Sequence, residues 1–131
     1  MALFGAKSTV LSELYELAEK CAKADWDFEG AAAVQPGAIS RVADFIRAFP
    51  DGLPLPEIAA EPEGSVTLDW IESRTRVFSL SVGMTNRLPF AWIDGTDRGH
   101  GVARFDGMTI PARVLNGIRE ITNGTATFRI A

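Results

Sequence analysis

The sequence of 131 residues contains one cysteine and one histidine. A single cysteine excludes an internal disulfide framework and a zinc site built from several cysteines. A single histidine excludes mechanisms that need two imidazoles, such as histidine-pair nucleases. No apolar run approaches the roughly 18–20 residues that a membrane span requires, and residues 1–7 lack the basic-then-apolar pattern of a signal peptide. We therefore expect a cytoplasmic protein that contacts no membrane.

The sequence contains enough apolar material for one ordinary core. Apolar residues make up 47% of the chain, which is typical of a folded protein and not of a disordered tail. Since a domain usually holds roughly 100–200 residues, we predict a single domain over residues 1–131.

The charges are divided unevenly along the chain. Residues 1–72 carry five basic and thirteen acidic side chains, a sum of −8, whereas residues 73–131 carry eight arginines and four acids, a sum of +4. Either the two halves neutralise each other within one fold, or the arginines line a face for an acidic protein or a nucleic acid. Because a pI near 5.0 implies a field that repels nucleic acid, we expect a protein partner, a second copy of the chain, or both.

The spacing of apolar residues changes from helical to alternating near residue 57. Helical spacing predicts helices over residues 9–23, 36–49 and 110–122. Alternation predicts strands over residues 57–60, 65–72, 75–82, 87–94 and 101–105, with residues 125–130 as a further candidate. The predicted fold class is α+β, with two N-terminal helices and one late helix packed on an antiparallel sheet of four to six strands.

One face of the predicted sheet is poor in charge. Opposite the Phe, Leu and Trp positions stand small or mildly apolar residues, namely Thr67, Asp69, Ile71, Val77, Ser79, Ser81, Ala91 and Ile93. A solvated sheet face normally carries more charged and amide side chains. This face is therefore covered either by the late helix or last strand of the same chain, or by a second subunit.

The first candidate site is the segment between the two N-terminal helices, where Asp25 and Asp27 flank Trp26. Paired carboxylates can bind a divalent ion or transfer protons, but the spacing of a calcium loop is absent. Alternatively, Trp26 anchors the loop in the core while the acids face solvent. A third possibility is that the three residues form a recognition surface.

The second candidate site is the glycine-rich stretch from Asp94 to Gly101, which we predict to be a long hairpin loop. It contains Asp94, Asp97, Arg98 and the only histidine, His100. Two carboxylates and one imidazole can in principle hold a metal ion. The glycines match neither the P-loop nor the dinucleotide-binding pattern, so a purely structural turn is the alternative.

Catalysis has no positive support in the sequence. No Gly-x-Ser-x-Gly nucleophile elbow occurs, and a serine hydrolase would have to use His100 as its base. We assign no catalytic residue, and we expect no cofactor and no bound metal.

Several short motifs carry a resemblance to one group of proteins. They are Trp26-Asp27-x-x-Gly30-Ala31, then Pro54-x-Pro56-Glu57-Ile58, then Leu68-x-Trp70. This pattern resembles small uncharacterised bacterial proteins with a W-D-G-x-G-A signature followed by P-x-P-E-I and L-x-W segments. Phe28 departs from the glycine that the signature would have. The resemblance implies an accessory protein of a mobile element or of a toxin–antitoxin-like locus.

These observations together favour a protein-interaction module, of an antitoxin-, immunity- or inhibitor-like kind, that forms a homodimer. The alternative is a small-ligand or metal-dependent enzyme that uses the loop from Asp94 to His100.

Overall fold

A computed structural model describes the backbone of residues 5–130 and the side chains of residues 5–122. Three helices and five strands follow one another along the chain. The helices are α1 (Ala6–Lys20), α2 (Pro36–Ala48) and α3 (Ala112–Ile130), and the strands are β1 (Glu57–Ala60), β2 (Val66–Ser73), β3 (Arg76–Val82), β4 (Arg87–Asp94) and β5 (Asp97–Arg104). The predicted α+β class is confirmed, with five strands in the sheet.

The two N-terminal helices form where the apolar periodicity predicts them. Helix α2 begins at Pro36, whose fixed φ suits a first helical position. Helix α1 lies three residues nearer the N-terminus than the predicted range of 9–23. It packs against α2 and β1, and Leu14 at its centre is fully buried.

The sheet is an antiparallel meander in which each strand pairs with its neighbours in sequence, so β3 is central and β1 and β5 are the edges. Strand alternation divides the side chains between two faces. One face carries the large apolar residues, among them Leu68, Trp70, Phe78, Leu80 and Phe90, which are all buried.

All three helices contribute to the core on that apolar face. A cluster of buried side chains includes Leu14 of α1, Phe45 of α2 and Ile118 of α3 together with the large residues of the sheet. Phe45 lies 5.7 Å from Phe105 between ring centroids and 6.3 Å from Trp70, with edge-on geometry in both pairs. Such aromatic pairs add stability beyond the area they bury.

Trp70 also fixes the proline-rich connection that follows α2. Its indole Nε1 donates a hydrogen bond of 2.8 Å to the carbonyl oxygen of Pro54. The ring itself is 2% exposed, so the bond satisfies a donor that would otherwise be buried without a partner. The connection therefore packs over the core, with Leu53 and Leu55 against the buried cluster.

Two sequence predictions are wrong. The strand predicted over residues 125–130 is part of α3, which continues to Ile130. Six alternating residues did not outweigh the propagation of a helix that was already formed upstream. The loop predicted from Asp94 to Gly101 is a hairpin, in which β4 and β5 are joined across Gly95 and Thr96. Gly95 has a φ of +68°, which a tight hairpin turn requires.

Candidate functional site

The second face of the sheet, here called the open face, carries no helix among the described elements. It consists of the residues that alternate with the core positions. Three of the large apolar side chains that are exposed in this structure lie on it: Ile71 is 52% exposed, Val102 41% and Ile93 37%. Helix α3 packs on the opposite face, where Val114, Ile118 and Ile121 are buried. The sequence left open whether this face is covered by a late element of the same chain or by a second subunit. The position of α3 excludes the late helix.

The charges on the open face change sign from one edge to the other. The strand register aligns Glu57, Asp69, Ser79, Ala91 and His100 in one row across all five strands. The neighbouring row aligns Ile71, Val77, Ile93 and Arg98. Paired residues of adjacent strands point to the same face. The open face thus has an acidic edge at β1 and β2, an uncharged centre, and Arg98, Arg104 and the histidine on β5.

Polar groups near the acidic edge already have partners within the chain. The hydroxyl of Ser79 donates to Oδ1 of Asp69 at 2.6 Å. The hydroxyl of Thr67 lies 3.0 Å from Oε2 of Glu61. Since these donors are satisfied, covering the face would leave neither hydroxyl without a hydrogen bond.

Of the candidate residues between Asp94 and His100, Asp94 and His100 both line one cleft, described below, whereas Asp97 and Arg98 do not line it. Asp94 pairs with Asp97 across the turn, and its carboxylate lies on the core side, 3.3 Å from Nε of Arg76. Arg98 and His100 are paired with Ile93 and Ala91, so they belong to the open face. Among the residues whose side chains are described, no group of three or more His, Cys, Asp or Glu could hold a metal ion.

The candidate residues around Trp26 form a closed loop. Oδ1 of Asp27 accepts the backbone N–H groups of Glu29 at 2.8 Å and Ala31 at 3.0 Å, and Oδ1 of Asp25 accepts that of Gly30 at 2.7 Å. The indole of Trp26 donates to the carbonyl of Ala32 at 2.8 Å.

These contacts show how the loop is held. The hydrogen bonds from Glu29 and Ala31 lower the pKa of Asp27, because they favour its ionised form. Asp25 and Phe28 both have positive φ, at 64° and 63°. The loop therefore makes its left-handed turn at Phe28 without the glycine that the motif would supply.

The arginines of the second half do not share one surface. Arg76 lies on the core side of β3 and donates to the carbonyl of Glu120 at 2.7 Å. Arg98 and Arg104 lie on the open face, and Arg113 belongs to α3. Among the side chains of residues 5–122, the two ion pairs, Arg76–Asp94 and Arg47–Asp44, each join residues of the same half of the chain.

The sequence analysis missed a cleft on the core side of the sheet, between α3 and the strands β4 and β5. Its cavity volume is about 390 Å³, and its lining residues are Phe78, Phe90, Trp92, Asp94, His100, Arg113, Asn116, Gly117, Glu120 and Ile121. We call it the aromatic cleft.

Glycines of β5 make room for the rings of this cleft. A Cβ atom on Gly99 would lie 2.5–2.9 Å from three ring atoms of Trp92, and one on Gly101 would lie 2.8 Å from Phe90. Both glycines face the core side of the sheet, opposite those aromatic residues. The signal is present in the sequence, as glycines two residues apart and aromatic residues two residues apart, but a glycine-rich stretch by itself predicts a hairpin loop.

No family model matches the chain, and neither the curated proteins nor the solved structures contain a significant match to it. Within the described part of the chain, no helix combines the length and apolarity needed to cross a membrane. The open face and the aromatic cleft are therefore the two surfaces from which a function can be inferred.

Proposed function

We propose that this protein is an interaction module that binds a second copy of itself through the open face. The observation that carries the proposal is the order of charges along the sheet. With an acidic edge, a neutral centre and an opposite edge that carries Arg98, one copy of the face complements another.

The strand order selects one symmetric arrangement. A two-fold axis that runs along the central strand β3, midway between two facing sheets, brings β1 of one copy opposite β5 of its partner, and β2 opposite β4. Glu57 then faces the edge that carries Arg98 and His100. Ile71 of each copy faces Ile93 of the other. An axis across the strands would instead place β1 on β1, with acid against acid, which electrostatic repulsion disfavours.

The area of the face suits a dimer of moderate affinity. Five strands at about 4.8 Å spacing and seven residues at about 3.3 Å rise span roughly 24 by 23 Å. Two such faces cover about 1,100 Å² before surface roughness is counted, close to the lower bound of about 1,200 Å² for specific interfaces. Sheets that pack face to face usually align within about 30°, which this axis permits.

Sedimentation velocity over a wide range of protein concentration tests the proposal. We expect a reversible change from the monomer mass of 14.2 kDa to twice that value. Ile93→Lys places a charge in the uncharged centre and should yield a monomer. Met108→Lys is the matched control, because Met108 is 82% exposed but lies in the connection between β5 and α3. A chain that stays monomeric at all concentrations, or an Ile93→Lys variant that still dimerises, would overturn the proposal.

A charge exchange tests the direction of the axis. Glu57→Arg and Arg98→Glu should each weaken the dimer, and the double variant should recover most of the loss. Both residues are exposed, so neither change should affect folding. A double variant that dimerises as weakly as the single variants would exclude this axis.

The finer assignments come from the amino-acid sequence alone. An antitoxin-, immunity- or inhibitor-like role, an origin in a bacterial mobile element, and a cytoplasmic location all stay predictions. A heterologous protein partner would compete with the second copy for the same open face, because Ile71 and Ile93 are central to both.

A further inference from the structure

We infer that the aromatic cleft binds a neutral, planar heteroaromatic molecule of the nucleobase class. The cleft lies on the side of the sheet opposite the open face, so this inference does not depend on dimer formation. Its volume of about 390 Å³ falls in the range of roughly 300–1,000 Å³ that is usual for small-molecule sites.

The floor of the cleft is made of flat rings held in fixed positions. Phe78 and Phe90 are stacked, with centroids 5.6 Å apart and planes inclined by 14°. The indole of Trp92 covers Gly99 so closely that a Cβ atom there would lie within 2.5–2.9 Å of it. One indole face therefore rests on the backbone of β5, and the ring is half-buried at the cleft. Phe78 is fully buried and Phe90 nearly so, so the half-buried indole of Trp92 is the ring on which a planar ligand can stack.

The rim of the cleft supplies hydrogen-bonding groups of both kinds. Arg113 and Asn116 of α3 provide donors, while Asp94, Glu120 and the amide oxygen of Asn116 provide acceptors. Arg113, Asn116 and Glu120 are exposed in the absence of a ligand. A ring that carries both donors and acceptors at its edge, as nucleobases do, matches this set.

The charge balance of the cleft excludes a strongly charged ligand. Asp94 is paired with Arg76 at 3.3 Å, and Glu120 stands on the same helix and the same cleft as Arg113. When Arg76, which pairs with Asp94, is counted with the lining residues Arg113, Asp94 and Glu120, the two acids and the two arginines cancel. Neither a phosphate nor a polyamine would find an excess of opposite charge, so a neutral ligand fits best.

Titration with adenine, followed by NMR at the indole N–H signals, tests the inference. The three tryptophans report separately, and Trp92→Phe identifies the signal that belongs to the cleft. We expect a saturable shift of the Trp92 signal and none at Trp26 or Trp70, which lie elsewhere. No shift of the Trp92 signal up to about 5 mM adenine, which would detect millimolar binding, would overturn the inference.

Two further comparisons test the hydrogen-bonding rim and the charge of the ligand. Asn116→Ala should weaken adenine binding about fivefold, as expected for one neutral hydrogen bond, whereas Asn86→Ala, outside the cleft, should leave it unchanged. Toluene should bind more weakly than adenine, and adenosine monophosphate no more tightly. Equal affinity for toluene, tighter binding of the monophosphate, or an unchanged affinity of Asn116→Ala would each overturn the assignment.

Discussion

Replacing Gly117 by alanine should destabilise the protein, although the same change normally strengthens a helix. Alanine in place of an interior helical glycine gains about 1 kcal/mol. At this position, however, the new Cβ atom would lie 2.5 Å from Cε2 of Phe78, against an optimal carbon–carbon separation of about 3.5–4.0 Å. The steric cost therefore opposes the gain in helix propensity.

Phe78 cannot move aside to relieve this contact. Its ring is fully buried, stacks on Phe90 at 5.6 Å and meets Trp70 edge-on at 5.9 Å between centroids. Overpacking of a well-packed core costs about 1–3 kcal/mol, and the severity of this overlap favours the upper end. We expect a net loss of about 2 kcal/mol in the free energy of unfolding, or about 8 °C in Tm for a domain of this length.

Gly37→Ala is the matched control. There the new Cβ atom would lie 2.7 Å from Sδ of Met84, but the Met84 side chain is 53% exposed and can rotate away. This variant should be neutral or more stable by up to about 1 kcal/mol.

Equilibrium unfolding in urea measures both variants. A Gly117→Ala protein as stable as the wild type would show that α3 moves away from the sheet at little cost, and the steric argument would be wrong. In the double variant Gly117→Ala, Phe78→Leu, the cost should be smaller than the sum of the single costs.

Two further predictions concern ionisable side chains: the first Asp27 and Asp106, the second Cys21. Backbone hydrogen bonds lower the pKa of Asp27 and of Asp106 below the ordinary value for an aspartate. The two carboxylates therefore stabilise the folded state above about pH 4, and this stabilisation is lost as the pH falls through their lowered pKa values. Urea unfolding of the Asp27→Asn, Asp106→Asn variant should therefore depend less on pH between about 2 and 4, and an unchanged slope would contradict this. Burial raises the pKa of the Cys21 thiol against the opposing charge of Lys20, so a thiol reagent should label the native protein at least about tenfold more slowly than the unfolded protein. Equally fast labelling of both states would contradict the burial.

Much of the fold could be predicted because, in most helices and strands, the local sequence signals and the tertiary packing favour the same structure. Strand β1 was predicted at its observed bounds, and α2 to within one residue. In both, the start or end is marked by a proline and the apolar spacing has a single period. The edge strand β5 was predicted less well, over 101–105 instead of Asp97–Arg104. In β5, Gly99 and Gly101 occupy the core-facing positions at which apolar side chains would be expected. The sequence of this strand therefore shows no hydrophobic alternation.

The candidate sites could be predicted only as lists of polar residues. In the segment from Asp94 to His100, a shift of one residue in the strand register decides which side chains share a face. The observed register assigns the side chains of Asp94 and His100 to opposite faces of the sheet, although both residues line the aromatic cleft. The aromatic cleft forms where α3 contacts β4. These two elements are separated by β5 in the sequence, and no local sequence pattern predicts that they come together.

The edge strands of the meander determine how this protein can assemble. An exposed edge can template strand addition by other chains. Here β1 is only four residues long and follows Pro56, while β5 carries Arg98 and Arg104. Short or charged edges resist such addition. Growth by edge pairing is therefore suppressed on both sides, and pairing through one face about a two-fold axis closes after two copies. In the proposed dimer, this architecture therefore favours a finite assembly over the growth of fibres.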